Sequence, residues 1–149
     1  MTPKNRKYFL DSNLVLDPLH DYPLATKRPE LIKTPTGQDL KNITFEQINA
    51  IQPEDLRISD ETLLLQAQIA QKVGRNQFAL NLMRAAELTK IPDERILEIY
   101  NALRPYRSTK EELLAIADEL ENKYQAKINA SFIREAAEVY ERRNRLKSD

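Results

Sequence analysis

Proline placement constrains this chain more than any other feature. Six of its eight prolines fall between Pro3 and Pro53, and only Pro92 and Pro105 follow. Proline lacks a backbone N–H and clashes with the preceding turn, so a helix accepts it at its start and not inside. Residues 1–57 are therefore expected to form an irregular, proline-rich N-terminal arm, and residues 58–149 a helical domain. Within the arm, Thr34-Pro35-Thr36-Gly37 fits a β-turn with proline second and glycine fourth. Thr44 and Gln47 could cap one or two helical turns running through Ile48 and Ile51. The arm's apolar residues, among them Leu14, Leu16, Tyr22 and Leu24, follow no regular period. They are expected either to stay disordered or to lie on another surface.

Beyond residue 58 the apolar spacing predicts an all-α fold, a compact bundle of about five helices. Ser59 caps the first, which carries Leu63, Leu64, Ala67, Ile69, Ala70 and Val73 and stops at Gly74, a residue suited to closing a helix. The second covers roughly Asn76 to Thr89 with Phe78, Leu82, Met83, Ala85 and Ala86 inward. Leu80 and Leu88 lie off that face, so this helix is expected to be touched on more than one side. The third uses Ile96, Ile99, Tyr100 and Leu103, and the fourth Leu113, Leu114, Ile116, Ala117, Leu120 and Tyr124. The fifth runs from about Lys127 to Leu146 with Phe132, Ile133, Ala136, Val139 and Tyr140 inward and Glu138–Arg142 and Glu141–Arg145 outward.

Between the third and fourth helices lies a hard corner. Pro92 suits the first position of the third helix, and Pro105 ends that helix near Arg104. Ser108 and Glu111 then form an S-x-x-E capping box for the fourth. Tyr100, Arg104, Tyr106 and Arg107 are thereby gathered at a rigid turn. Tyrosine and arginine are the residue types that anchor protein interfaces, so these four, with Tyr22 and Leu24 of the arm, are the candidate interface residues. The plainer reading of the corner is a proline-enforced turn with solvent-facing arginines.

Composition removes most other functions. Hydrophobic residues make up 41% and charged ones 31%, with two glycines and no cysteine. The glycine count argues against a phosphate-cradling glycine loop, and the lack of cysteine excludes disulfides and thiolate zinc sites. Charges balance at 23 of each sign and do so locally, eight of each through residue 57 and fifteen of each after it, which disfavours nucleic acid as a partner. His20, the single histidine, is followed by Asp21, but no nucleophile accompanies them. Asp93 and Glu94 suit a helix N-terminus, and Glu111, Glu112, Asp118, Glu119 and Glu121 read as a solvated face. Arg134, Arg142, Arg143, Arg145 and Lys147 suit the end of a helix, with glutamates nearby to balance them. No catalytic, cofactor-binding or metal-binding residue is expected on this chain.

RAAELTKIPDERILEIYNALRPYRSTKEELLAIADELE, starting at Arg84, closely resembles the small subunit of adenosylcobalamin-dependent diol and glycerol dehydratases. So do DYPLATKRPELIKTPTG from Asp21, LRISDETLLLQAQIA from Leu56 and KINASFIREAAEVYERR near the end. The likeness covers nearly everything from Asp21 onward and leaves residues 1–20 outside. The resemblance implies a helical, non-catalytic subunit that docks on a large subunit, in a dimer of heterotrimers of large, medium and small subunits. It implies that adenosylcobalamin sits between the large and medium subunits, with a potassium or calcium ion in the large one. The reaction it implies is a radical dehydration of propane-1,2-diol or glycerol to an aldehyde and water. The implied location is cytoplasmic, for some members inside a bacterial microcompartment. Apart from the resemblance, the Tyr/Arg corner and apolar arm also suit a stand-alone helical adaptor.

Overall fold

The computed structural model describes residues 14–39, 41 and 43–148. Among these the fold is all-α. Two short helices, α1 (Pro18–Asp21) and α2 (Leu24–Lys27), precede five longer ones: α3 (Asp60–Lys72), α4 (Asn76–Leu88), α5 (Asp93–Ala102), α6 (Lys110–Tyr124) and α7 (Lys127–Arg142). The intervening backbone includes 3-10 turns at Pro29–Leu31, Phe45–Ala50 and Pro53–Leu56. The turn at Phe45–Ala50 lies where Thr44 and Gln47 were expected to cap helix; the Gln47 side chain is outside the described residues. The chain divides into two compact units between Ala86 and Glu87, in the last turn of α4.

In the first unit, irregular backbone is pinned to helix by side-chain polar groups. Leu16 N–H donates to Gln68 Oε1 at 2.8 Å, and Gln68 Nε2 donates to Leu14 C=O at 3.1 Å. One amide side chain on α3 thus satisfies extended backbone as a neighbouring strand would. Leu16, Leu24, Leu65 and Ile69 are buried together there. The apolar arm residues Leu14, Leu16 and Leu24 therefore have a surface to lie on, and it is α3. Asp17 caps α1 by accepting from Leu19 N–H, and Asp21 accepts from Asp17 N–H at 2.6 Å and from Arg28 at 2.8 Å.

The Thr34–Gly37 turn forms as expected, with Gly37 N–H donating to Thr34 C=O at 2.8 Å and Gly37 at φ +86°. Thr36 donates its hydroxyl to buried Asp55, which also accepts from Gln52 N–H at 2.9 Å. Ser59 caps α3 through Thr62 N–H at 3.2 Å. Gly74, at φ +78°, closes the helix with Arg75 N–H on Ala70 C=O at 2.8 Å.

Two inward assignments in this unit need correction. Val73 follows the last helical turn of α3 and is exposed, and Phe78 is half-exposed. Ala79, not Phe78, packs with Ala67 and Ala70, beside Leu82 and Met83. Close helix packing favours the alanine because its small side chain lets the backbones approach.

The second unit has a contiguous apolar core: Ile91, Ile99, Leu113, Ala117, Leu120, Ala126, Ala130, Ile133 and Ala137, with Leu88 and Tyr140 packed against it. Alanines on facing sides of α6 and α7 let these helices run close, and polar pairs line their edges. Arg134 bonds Asp118 and Glu121 at 2.7 Å each, and Lys110 bonds Glu141 at 2.6 Å. Arg95 of α5 reaches Glu119 of α6, with Nε 3.2 Å from Oε2.

Several helix ends differ from the sequence expectation. Pro92 occupies the cap position of α5, one residue before the first helical position. The capping box of α6 is Thr109 with Glu112, and Ser108 donates its hydroxyl to Ala102 C=O at 2.9 Å. Ser108 is buried against the end of α5, so the next residue takes the cap. α7 ends at Arg142, short of Leu146, because Asn144 turns left-handed at φ +52° and Arg145 N–H closes on Tyr140 C=O at 2.8 Å. Its inner face is Ala130, Ile133 and Ala137 with Tyr140, whereas Phe132 is 40% exposed. Tyr100, expected inward on α5, is exposed.

α7 has no side-chain cap of its own. Glu87, from the last turn of α4, supplies one at long range. Its carboxylate accepts from Ile128 N–H and Asn129 N–H at 2.9 Å each and from Asn129 Nδ2 at 2.7 Å. The negative group meets the positive end of the helix dipole.

Candidate subunit-docking surface

α5 places its apolar side Ile96–Ile99–Leu103 against the core, and the flank beside Ile96 is left outward. Leu97 is 62% and Tyr100 66% exposed there, three residues apart on one face. Arg104, four residues beyond Tyr100, begins the corner. Arg107 N–H bonds Arg104 C=O at 3.3 Å, with Pro105 second and Tyr106 third at φ +65°, the pattern of a type II turn. Tyr106 is half-exposed, and Arg104 and Arg107 are exposed. Arg107 and Ser108 also line a shallow groove of about 540 Å³ with Asn101, Ala102, Glu112, Ala115 and Ile116.

Four of the six candidate interface residues thus occupy one end of α5 and its turn. The other two belong to the first unit. Tyr22 is exposed, whereas Leu24 is buried beside Leu16 and Ile69, so its side chain serves internal packing. Leu97 escaped the sequence reading, although it falls off the Ile96/Ile99 face. In the first unit Phe45, Leu19, Leu56 and Val15 are each more than 70% exposed. Their lack of helical period was the signal available for them.

His20 pairs through Nδ1 with Asp17 at 2.8 Å, not with the adjacent Asp21, which faces Arg28. The hydrogen bond from His20 holds the Asp17 carboxyl below the usual carboxylate range, and that from Arg28 does the same for Asp21. Arg95 lowers Glu119 in the same way. A surface of exposed tyrosine, leucine and arginine can bind protein.

Comparison with known proteins places the chain in a family. The family model described as dehydratase small subunit matches residues 18–147. The chain belongs to the dehydratase small-subunit family. It is 62% identical over 131 residues to the propanediol dehydratase small subunit of Salmonella typhimurium, covering 87% of this chain and 76% of that protein. It is 60% identical, with the same coverage, to the propanediol dehydratase small subunit of Citrobacter freundii. A dehydratase small subunit has partner subunits by definition. No helix among the described residues is long and apolar enough to cross a membrane.

Proposed function

We propose that this chain is the small, non-catalytic subunit of a coenzyme B12-dependent propanediol or glycerol dehydratase, docking on the large catalytic subunit in a dimer of heterotrimers. The 62% identity to a propanediol dehydratase small subunit carries this reading. The exposed apolar and arginine residues of both units support it: Tyr100, Arg104, Tyr106 and Arg107 in one, and Val15, Leu19, Tyr22, Phe45 and Leu56 in the other. In this reading residues 1–57 contribute to docking while residues 58–149 supply the helical frame.

The complex removes water from a 1,2-diol to leave an aldehyde, using adenosylcobalamin and a potassium or calcium ion held by the other subunits. Among the described residues no set of three or more His, Cys, Asp or Glu could hold a metal ion, and His20 is engaged with Asp17. No step of the reaction is assigned to them. The proposed location is the cytoplasm, with the complex either free or packaged in a microcompartment, which sedimentation with microcompartment shells distinguishes.

Co-expression with the large and medium subunits tests the proposal. The chain is expected to copurify with the large subunit, and full dehydratase activity without it would show that it is not required. Replacing Tyr106 and Arg107 together with alanine is expected to weaken association about tenfold or more, as loss of interface anchors does, with helix content unchanged. Unchanged affinity with reduced helicity returns the corner to a purely structural role.

A further inference from the structure

Tyr106 holds a backbone conformation that glycine and asparagine enter easily and a bulky side chain avoids, φ +65°. The bond closing its own turn, Arg107 N–H to Arg104 C=O, is long at 3.3 Å. Shorter contacts come from the segment after α7. Tyr106 N–H donates to Arg145 C=O at 2.7 Å. The Arg145 guanidinium donates to the Tyr106 hydroxyl oxygen and lies 5.4 Å from the ring centroid, within cation–π range. Lys147 N–H donates to Ser108 C=O at 2.9 Å, so the segment grips both sides of the corner.

That segment is itself aimed. Asn144 at φ +52° reverses the chain, Arg145 N–H closes α7 on Tyr140 C=O at 2.8 Å, and Tyr140 donates its hydroxyl to Leu103 C=O at 2.6 Å. Leu146 packs against the core. The left-handed residue inside the corner is thereby joined to Arg145, the residue after left-handed Asn144, by a hydrogen bond, a side-chain bond and a ring contact.

We infer that residues 144–147 form a strap that fixes the α5–α6 corner in its observed conformation, with Arg145 as the positioning residue. The inference goes beyond the docking reading and does not depend on it. It makes the shape of the corner a property of a segment about forty positions away in sequence, so changes in that segment reshape the corner while the helices stay in place.

Residue-resolved amide hydrogen exchange on the full chain tests this. In Arg145→Ala the Tyr106 and Lys147 amides are expected to exchange at least about tenfold faster, with the Ala117 and Ile133 amides unchanged, the signature of a local opening. Unchanged protection at Tyr106 overturns the strap, and so does a uniform rise across α6 and α7. A second variant adds Tyr106→Gly to Arg145→Ala. Glycine takes the left-handed conformation freely, so protection at position 106 is expected to recover several-fold relative to the single variant. A double variant that exchanges as fast as the single one overturns the idea that the strap holds that conformation. Affinity of Arg145→Ala for the large subunit reads the separate question of docking.

Discussion

The two units solve the same problem by different means. The second, from Glu87 on, buries nine residues in one contiguous cluster built from regular helix faces. The first buries smaller clusters, four residues around Leu16 and three around Ala67, and ties irregular backbone down with Gln68, Asp21 and Asp55. Apolar burial is non-directional and tolerates small shifts, whereas a buried hydrogen bond demands one geometry. The second unit is thus held mainly by packing and the first to a larger extent by polar pins.

The sharpest test truncates a core leucine in each. Leu113 and Leu16 are both fully buried. Leu113→Ala opens a cavity in the larger cluster and is expected to cost about 3–5 kcal/mol, while Leu16→Ala, in the smaller cluster, should cost about 2–3 kcal/mol. Denaturant melts combined with amide exchange give both values and locate them. A cost for Leu16→Ala equal to that of Leu113→Ala would mean that the first unit is packing-held after all.

The pins themselves come next. Gln68→Ala leaves Leu16 N–H and Leu14 C=O without their partner and should cost about 2 kcal/mol, the usual penalty for part-buried polar groups left unmet. The counterpart in the second unit is Glu87→Ala, which strips the N-terminus of α7. A lost helix cap predicts about 1–2 kcal/mol, seen first as faster exchange at Ile128 and Asn129. If Glu87→Ala proves costlier than Gln68→Ala, the contrast between the units reverses at this level.

The same contrast governs what could be read in advance. Helices α3 to α7 were legible because their apolar residues recur at helical spacing and Ser59, Gly74 and Pro105 mark boundaries. The registers of Phe78, Tyr100 and Phe132 were misjudged, since hydrophobicity favours the aromatic while close packing takes the neighbouring alanine or isoleucine. The Ser108/Thr109 cap was ambiguous by one residue, because both hydroxyls have a glutamate three positions on. The pins Gln68, Glu87 and Asp55 were invisible. Each bonds backbone or a hydroxyl far away in sequence, and no local pattern carries that. Of the proposed docking surface, the Tyr/Arg corner is a reading from composition, and its exposure matches it. Leu24 was not legible, because its burial depends on where Gln68 holds residues 14–16.

The smallest expected effect separates the units by salt. Asp55 is held below the usual carboxylate range by the Thr36 hydroxyl and the Gln52 N–H, neither of which is charged. Glu119 is lowered by the Arg95 guanidinium, first through its hydrogen bonds and then through its charge. A depressed carboxyl favours folding while it is ionised. Its contribution is complete above the unfolded value near about 4 and disappears as pH falls through the lower folded value. Both groups should therefore make the protein less stable in acid, and Asp55→Asn and Glu119→Gln should each flatten that slope. Salt distinguishes them. At about 1 M the screening length is about 3 Å, so the Glu119 titration midpoint should rise toward that of an ordinary glutamate. The Asp55 midpoint, set by dipoles in direct contact, should move little. Carboxyl NMR titrations at low and high salt measure both, and a common shift would show that a cation outside its hydrogen-bond partners governs Asp55 as well.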